Sequence, residues 1–253
     1  MPRVIRTIIP RIRRSLRDRG FIASLGRSFL LPIHVLRDFR TARALQPDGY
    51  RSEFDQIHGV DTDGRFGGWT YLSDLDIPSP NWIDGNDYLA IDPERFNRVL
   101  ASLDIAFEGY TFVDFGSGKG RALLLASEFP FKKIVGLEFS AELHHVAEEN
   151  IRRYHTETQK CRDIRSRNVE FASFSLPHEP VVLFFFDPCR GRVLAEVLAR
   201  IGQSLIEAPR PLHIAYVAPR PEVEQLFDSA GFLRKTLRCT NRRFVVYSSF
   251  AHA

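Results

Sequence analysis

Cysteine is scarce in this chain. Its 253 residues hold three, Cys161, Cys189 and Cys239, far apart and in no CxxC or Cys/His grouping. Neither a disulfide framework nor a zinc site is indicated, and no other metal-ligand spacing stands out. A reducing, cytoplasmic setting fits this usage best. Long apolar runs are missing too. No stretch of about 18 uncharged apolar residues occurs, so no membrane-spanning helix is expected. Residues 1–50 contain neither Lys nor Glu. What stands there is arginine, eleven of them between Arg3 and Arg43 against Asp18, Asp38 and Asp48, a formal charge of +8. The whole chain carries +4, which leaves −4 for the rest. A basic arm therefore precedes a mildly acidic body.

Three segments follow from composition. Residues 1–45 form the arm. Ile5, Ile8, Ile9, Ile12 and Leu16 fall at helical spacing, so basic amphipathic helices are expected, interrupted at Pro10 and Pro32. Such an arm suits a membrane surface, a nucleic acid or another anionic partner, or a transit peptide, and equally a solvated or partly packed appendage. Residues 46–92 are punctuated by Gly, Pro, Asp and Asn, and carry Phe66, Trp69, Tyr71, Trp82 and Tyr88. They are expected as an ordered, aromatic-rich loop segment, either pinned to the body or serving as a lid, with Trp69 and Tyr88 as lid or substrate residues. Asp61-Thr62-Asp63-Gly64 begins like a calcium loop but lacks Glu at its twelfth position, so metal is discounted.

Residues 93–253 read as one α/β domain. Asp92-Pro93 opens a helix whose Phe96, Val99, Leu100 and Leu103 share a face. Strands are expected at residues 112–115, 134–137, 169–172, 181–186, 212–217, 233–239 and 244–250. Helices are expected at residues 121–128, 141–154, 193–206 and 222–230. The polar, basic stretch 155–167 reads as a loop. Val181–Phe186 is apolar throughout, as a strand buried on both faces should be. Alternating strands and helices with a terminal hairpin predict a doubly wound, mostly parallel seven-stranded sheet. One antiparallel strand, helices on both faces and an N-terminal helical or loop extension complete the expectation.

The chain is organised around Thr111–Ser140: strand, glycine turn, helix, strand, and Glu138 at that strand's end. The turn Gly116-Ser117-Gly118-Lys119-Gly120 decides among nucleotide ligands. A phosphate-cradling GxxxxGK[ST] loop is excluded, because Gly120 stands where Ser or Thr is needed and Val113 where the first Gly is needed. A dinucleotide fingerprint needs its third glycine at position 121, which is Arg. The spacing is GxGxG.

Val113–Gly120, followed by Glu138, resembles motif I and the ribose-binding acid of the class I S-adenosylmethionine-dependent methyltransferases, in particular bacterial members of unassigned substrate. Phe54–Gly64 and Tyr88–Leu103 are similar to the same group, so the resemblance spans roughly residues 50–250. It implies a Rossmann-like, seven-strand fold and S-adenosylmethionine as cofactor. It implies cofactor contacts from Asp114, Gly116, Ser117, Gly118, Gly120, Glu138 and Phe139, with Ser173 where the family usually places an acid against the adenine. Asp187-Pro188-Cys189-Arg190 resembles in part the [D/N]PP[F/Y] motif that faces a target nitrogen. Asp187 is thus the candidate catalytic group and Pro188 a substrate-side neighbour, though the second Pro and the aromatic are missing. Tyr216 and His178 are weaker candidates. The implied activity is methyl transfer to an acceptor the sequence does not name, with a tilt towards a protein amino group or a small molecule. The alternatives are a non-catalytic S-adenosylmethionine-binding or assembly protein and a nucleic-acid methyltransferase.

Overall fold

The computed structural model describes residues 51–64, 68–241 and 243–250. The arginine arm lies outside the described residues, and so does Phe66. Seven strands form the central sheet: β3 (Thr111–Phe115), β4 (Lys133–Glu138), β5 (Ile164–Asn168), β6 (Val181–Phe186), β7 (Leu212–Val217), β8 (Leu233–Cys239) and β9 (Phe244–Ser249). Their spatial order is β5-β4-β3-β6-β7-β9-β8. β3 to β7 pair in parallel, and β9 runs against both of its neighbours, one place in from the edge. This is the expected doubly wound sheet with its one antiparallel strand. Beyond β3 the chain first builds towards one edge and then, from β6, towards the other. The crevice outside the carboxyl ends of β3 and β6 is therefore the switch point at which such sheets bind ligands.

Both faces of the sheet are buried, and the alternation along β6 shows how. Val181, Leu183 and Phe185 join one core, with Val113, Phe115, Ile214 and Tyr216. Val182 and Phe184 join the other, with Phe112, Ile134 and Ala215. The first core is closed by α5 (Gly191–Glu207), through Val193, Val197 and Ile201, and by α6 (Pro221–Asp228), through Val223 and Phe227. The second is closed by α2 (Pro93–Ala101), through Phe96, Val99 and Leu100, and by α3 (Arg121–Ala126), through Leu123 and Ala126. Aromatic rings run across neighbouring strands on one face: Phe185 stacks on Phe115 at 4.6 Å and on Tyr216 at 5.5 Å. Each such ring withdrawn from water stabilises by about 1.5–3 kcal/mol. α2 begins as its sequence dictates, with the Asp92 carboxylate accepting from the Arg95 amide at 2.8 Å and Pro93 at the first helical position.

The third strand is a correction. The strand expected at residues 169–172 lies earlier, at Ile164–Asn168, inside the stretch read as a loop. Phe171–Ser173 is instead a turn of 3-10 helix. β5 is an edge strand covered on one face by α4 (Ala141–Arg153), so only alternate residues need be apolar or small. Ile164 and Ser166 are half-buried while Arg165 and Arg167 are exposed. Charged side chains on an edge are also what keeps it from pairing with other chains.

Two further pieces precede the sheet. α1 (Glu53–His58) is capped by Ser52, whose hydroxyl accepts from the Asp55 amide. β1 (Trp69–Thr70) and β2 (Tyr88–Leu89) form a two-stranded antiparallel ribbon with Trp69 opposite Leu89. Among the described residues, no helix is long and apolar enough to cross a membrane.

Candidate functional site

The site is built from the carboxyl ends of β3, β4 and β6 and the segments laid over them. β3 ends at Phe115, and the turn begins with two amides, Gly116 N–H and Ser117 N–H, both donating to the Leu137 carbonyl at 2.9 and 3.0 Å. The turn is thereby stitched to the end of β4. Gly116 and Gly118 adopt φ of 84° and 53°, the left-handed region that favours glycine. Close approach demands glycine here as well. A Cβ on Gly116 would lie 2.6 Å from Pro188 Cβ, and one on Gly118 would run into the ring of Tyr88. Gly120 caps α3.

The acids predicted at this turn are both there, and both are buried. Asp114 and Glu138 are each 3% exposed. Glu138 Oε2 accepts from the Gly118 amide at 2.9 Å, and its Oε1 from the Ser140 amide at 2.8 Å. Burial raises its pKa to about 7 even though those amides favour the ionised form. Asp114 is held well above the carboxylate range by burial, and then by the neighbouring Glu138 charge. Ser117 Oγ is buried without a hydrogen-bond partner. It lies against Gly136 of β4, where an added Cβ would come within 2.6 Å of that oxygen. Phe139 follows Glu138 and meets Phe171 edge-on at 6.1 Å.

Ser173 is exposed, at the end of the 3-10 turn, with its amide donating to the Glu170 carbonyl at 2.9 Å. The acid following the third strand is Glu170, two residues past Asn168, and its charge is felt by Glu138. With Ile164 and Ser166 as the inward row of an edge strand, Glu170 is the first acid past that strand's end.

Asp187 closes β6 in a left-handed conformation, φ 45°, rare for a non-glycine residue and frequent at functional sites. Its Oδ1 accepts from the Tyr216 hydroxyl at 3.3 Å and its Oδ2 from Arg220 Nη2 at 3.2 Å. Burial raises its pKa, and the Arg220 charge opposes that rise. The β1–β2 ribbon leads straight onto this loop. Gly85 pairs with Cys189, the Asn86 amide donates to the Pro188 carbonyl at 3.0 Å, and Asn86 Nδ2 donates to the Asp187 carbonyl at 2.6 Å. Tyr88, two residues on, lies over Gly118 and donates its hydroxyl to the Thr62 carbonyl at 2.5 Å. Of the two proposed lid aromatics, Tyr88 sits on the turn, while Trp69 stands in the neighbouring strand opposite Leu89. Sequence reasoning missed Asn86 and Arg220, which no motif marks. His178 is exposed.

Parts of the chain align with solved structures. A ribosomal protein L11 methylase from Lactobacillus delbrueckii subsp. bulgaricus aligns over 61% of this chain and 74% of its own, at 15% identity and a TM-score of 0.43. The 23S rRNA methyltransferase ErmE aligns over 65% and 70%, at 12% identity and a TM-score of 0.46. The mitomycin 7-O-methyltransferase MmcR aligns over 62% and 52%, at 16% identity and a TM-score of 0.43. The chain thus spans about half the length of MmcR, as it does of the StiE O-MT fragments. No family model matches the sequence, and no curated protein does. The fold is Rossmann-like, of the class I methyltransferase kind. That assignment rests on the strand order, the antiparallel β9 and the glycine turn at the switch point. Among the described residues, no group of three His, Cys, Asp or Glu is placed to hold a metal ion.

Proposed function

We propose that this chain is an S-adenosylmethionine-dependent methyltransferase. The observation that carries the proposal is the joining of Glu138 to the glycine turn through its Oε2 and the Gly118 amide. It puts a buried carboxylate and a Cβ-free turn side by side at the switch point, as a ligand with a ribose needs. Asp114, Gly116, Ser117, Gly118, Gly120, Glu138 and Phe139 would hold the cofactor, with Glu170 taking the adenine-side place first given to Ser173. S-adenosylmethionine bound there supplies a methyl group already activated on a sulfonium, so the protein's task is positioning and exclusion of water.

The acceptor side falls to Asp187. Tyr216 and Arg220 fix the direction of its carboxylate, which keeps lone pairs for a hydrogen bond from an incoming amine or hydroxyl. Residues 84–86, just before β2, pair with residues 187–190 and fix this loop. The same engagement of Asp187 by Tyr216 and Arg220 supports a second reading, a non-catalytic S-adenosylmethionine-binding protein. Labelled methyl donor separates the two. The enzyme transfers label to a component of cell lysate, and fractionation then shows whether the acceptor is protein, nucleic acid, lipid or metabolite. Cofactor binding without any transfer favours the second reading. An anionic or membrane-surface partner for residues 3–43 remains a proposal from charge alone; arm-truncated protein with full cofactor affinity and weakened binding to anionic vesicles supports it.

A further inference from the structure

Lys119 and Arg121 flank Gly120, yet their side chains run to α1 and to Asp61–Asp63 just after it, where the sequence offers the start of an incomplete calcium loop. Arg121 is 5% exposed. Its Nη2 donates to Asp55 Oδ1 at 3.0 Å, Asp63 Oδ1 at 2.8 Å and Ser52 Oγ at 2.8 Å, and its Nε to Thr62 Oγ1 at 2.5 Å. Asp55, wholly buried, also accepts from the Thr62 hydroxyl at 2.5 Å and from the Thr62 and Asp63 amides at 2.7 and 2.9 Å. Lys119 Nζ donates to Asp61 Oδ1 at 2.8 Å and to the Asp63 carbonyl at 2.7 Å. Asn150 Nδ2 ties the Asp61 and Lys119 carbonyls together at 2.7 and 2.9 Å.

A buried ion network of this kind adds little stability over an apolar core, and its use lies in fixing one arrangement. Here the arrangement fixed is that of Thr62. The Thr62 carbonyl is the acceptor for the Tyr88 hydroxyl, and the Tyr88 ring lies against Gly118. Hydrogen bonds thus run from Arg121, the first residue of α3, through Asp55 and Thr62, to the ring that roofs the glycine turn. We propose that Asp55, Thr62 and Arg121 are positioning residues that act through Tyr88, a latch that holds the roof closed and retains the cofactor. The latch rests on the reading of the turn as the S-adenosylmethionine site and adds how that site is kept shut.

Release of S-adenosylhomocysteine from the full-length chain, followed by stopped-flow displacement, tests it. Tyr88→Phe keeps the ring and loses the tether, so release accelerates roughly fivefold, the factor that one net hydrogen bond carries. Tyr88→Ala releases faster still. Arg121→Lys, which lacks the planar fork, also releases faster. The tether is made without ligand as well, so the association rate of Tyr88→Phe rises by a similar factor and its affinity stays near the wild-type value, which separates a latch from a lost contact to the ligand. Wild-type release rates in both Tyr88→Phe and Arg121→Lys overturn the latch while leaving the site itself intact. Tighter binding by Tyr88→Ala also overturns it, because the ring then obstructs the site. A wild-type protein that binds no S-adenosylhomocysteine removes both the latch and the function beneath it.

Discussion

Cofactor affinity should rise with pH through neutrality, and Glu138 is the reason. Burial lifts its pKa from 4.5 to about 7. An ionised carboxylate accepts hydrogen bonds from ribose hydroxyls, and a protonated one loses much of that capacity. With half-ionisation near 7, roughly one site in ten is charged at pH 6 and about nine in ten at pH 8. The dissociation constant for S-adenosylhomocysteine should therefore be about tenfold weaker at pH 6 than at pH 8. Stability of the unliganded protein runs the other way. Between pH 4.5 and about 7 the folded chain keeps a proton on Glu138 that the unfolded chain has released. Stability conferred by this group is full below that window, falls as pH rises through it, and is about 3 kcal/mol lower above it. Asp114, raised for the same reason, adds to the fall. Calorimetric titrations at pH 6, 7 and 8, paired with urea unfolding at the same values, read both signs. Glu138→Gln should bind at least about tenfold more weakly at pH 8 and lose the pH dependence. A wild-type protein that binds equally well at pH 6 and 8, or a Glu138→Gln variant with wild-type affinity at pH 8, would refute the assignment of this carboxylate to the ribose.

Three other expectations follow from single groups. Arg121→Gln leaves the buried Asp55 and the half-buried Asp63 without their cation, and urea unfolding should show a loss of about 3–5 kcal/mol. Phe185→Ala opens a cavity between Phe115, Tyr216 and Phe227, and should cost about 3–5 kcal/mol in the same measurement. Tyr216→Phe and Arg220→Gln each remove one partner from the Asp187 carboxylate. Methyl incorporation should drop roughly tenfold or more while affinity for S-adenosylhomocysteine changes by less than about twofold.

The fold was legible because most strands of this sheet are buried on both faces. Val181–Phe186 announces itself by unbroken apolarity, Leu212–Val217 by an apolar run broken only at His213, and the turn between β3 and α3 by its glycines. β5 was not legible in the same way. An edge strand under one helix needs only Ile164 and Ser166 facing inwards, and its arginines make it look like a loop. That one displacement placed Ser173, not Glu170, next after the expected strand. Within the site, residues set by local chain path were readable: Gly116, Gly118 and Glu138 follow from turn geometry and strand ends. Partners brought from afar were not. Nothing local to Asn86, Arg220 or Thr62 shows that it meets Asp187 or Tyr88 across a long loop of sequence. The acids Asp61 and Asp63 were visible, but their purpose, to receive Lys119 and Arg121, needed the fold.

The central claim is that the turn and Glu138 bind S-adenosylmethionine. Isothermal titration of the wild-type chain and of Gly118→Arg with S-adenosylmethionine tests it most directly. At Gly118 the backbone is left-handed and Tyr88 fills the space a side chain would take. The wild type should bind one equivalent, and Gly118→Arg, still folded by circular dichroism, should bind none. A folded wild-type protein that takes up no S-adenosylmethionine at millimolar concentration would contradict the account.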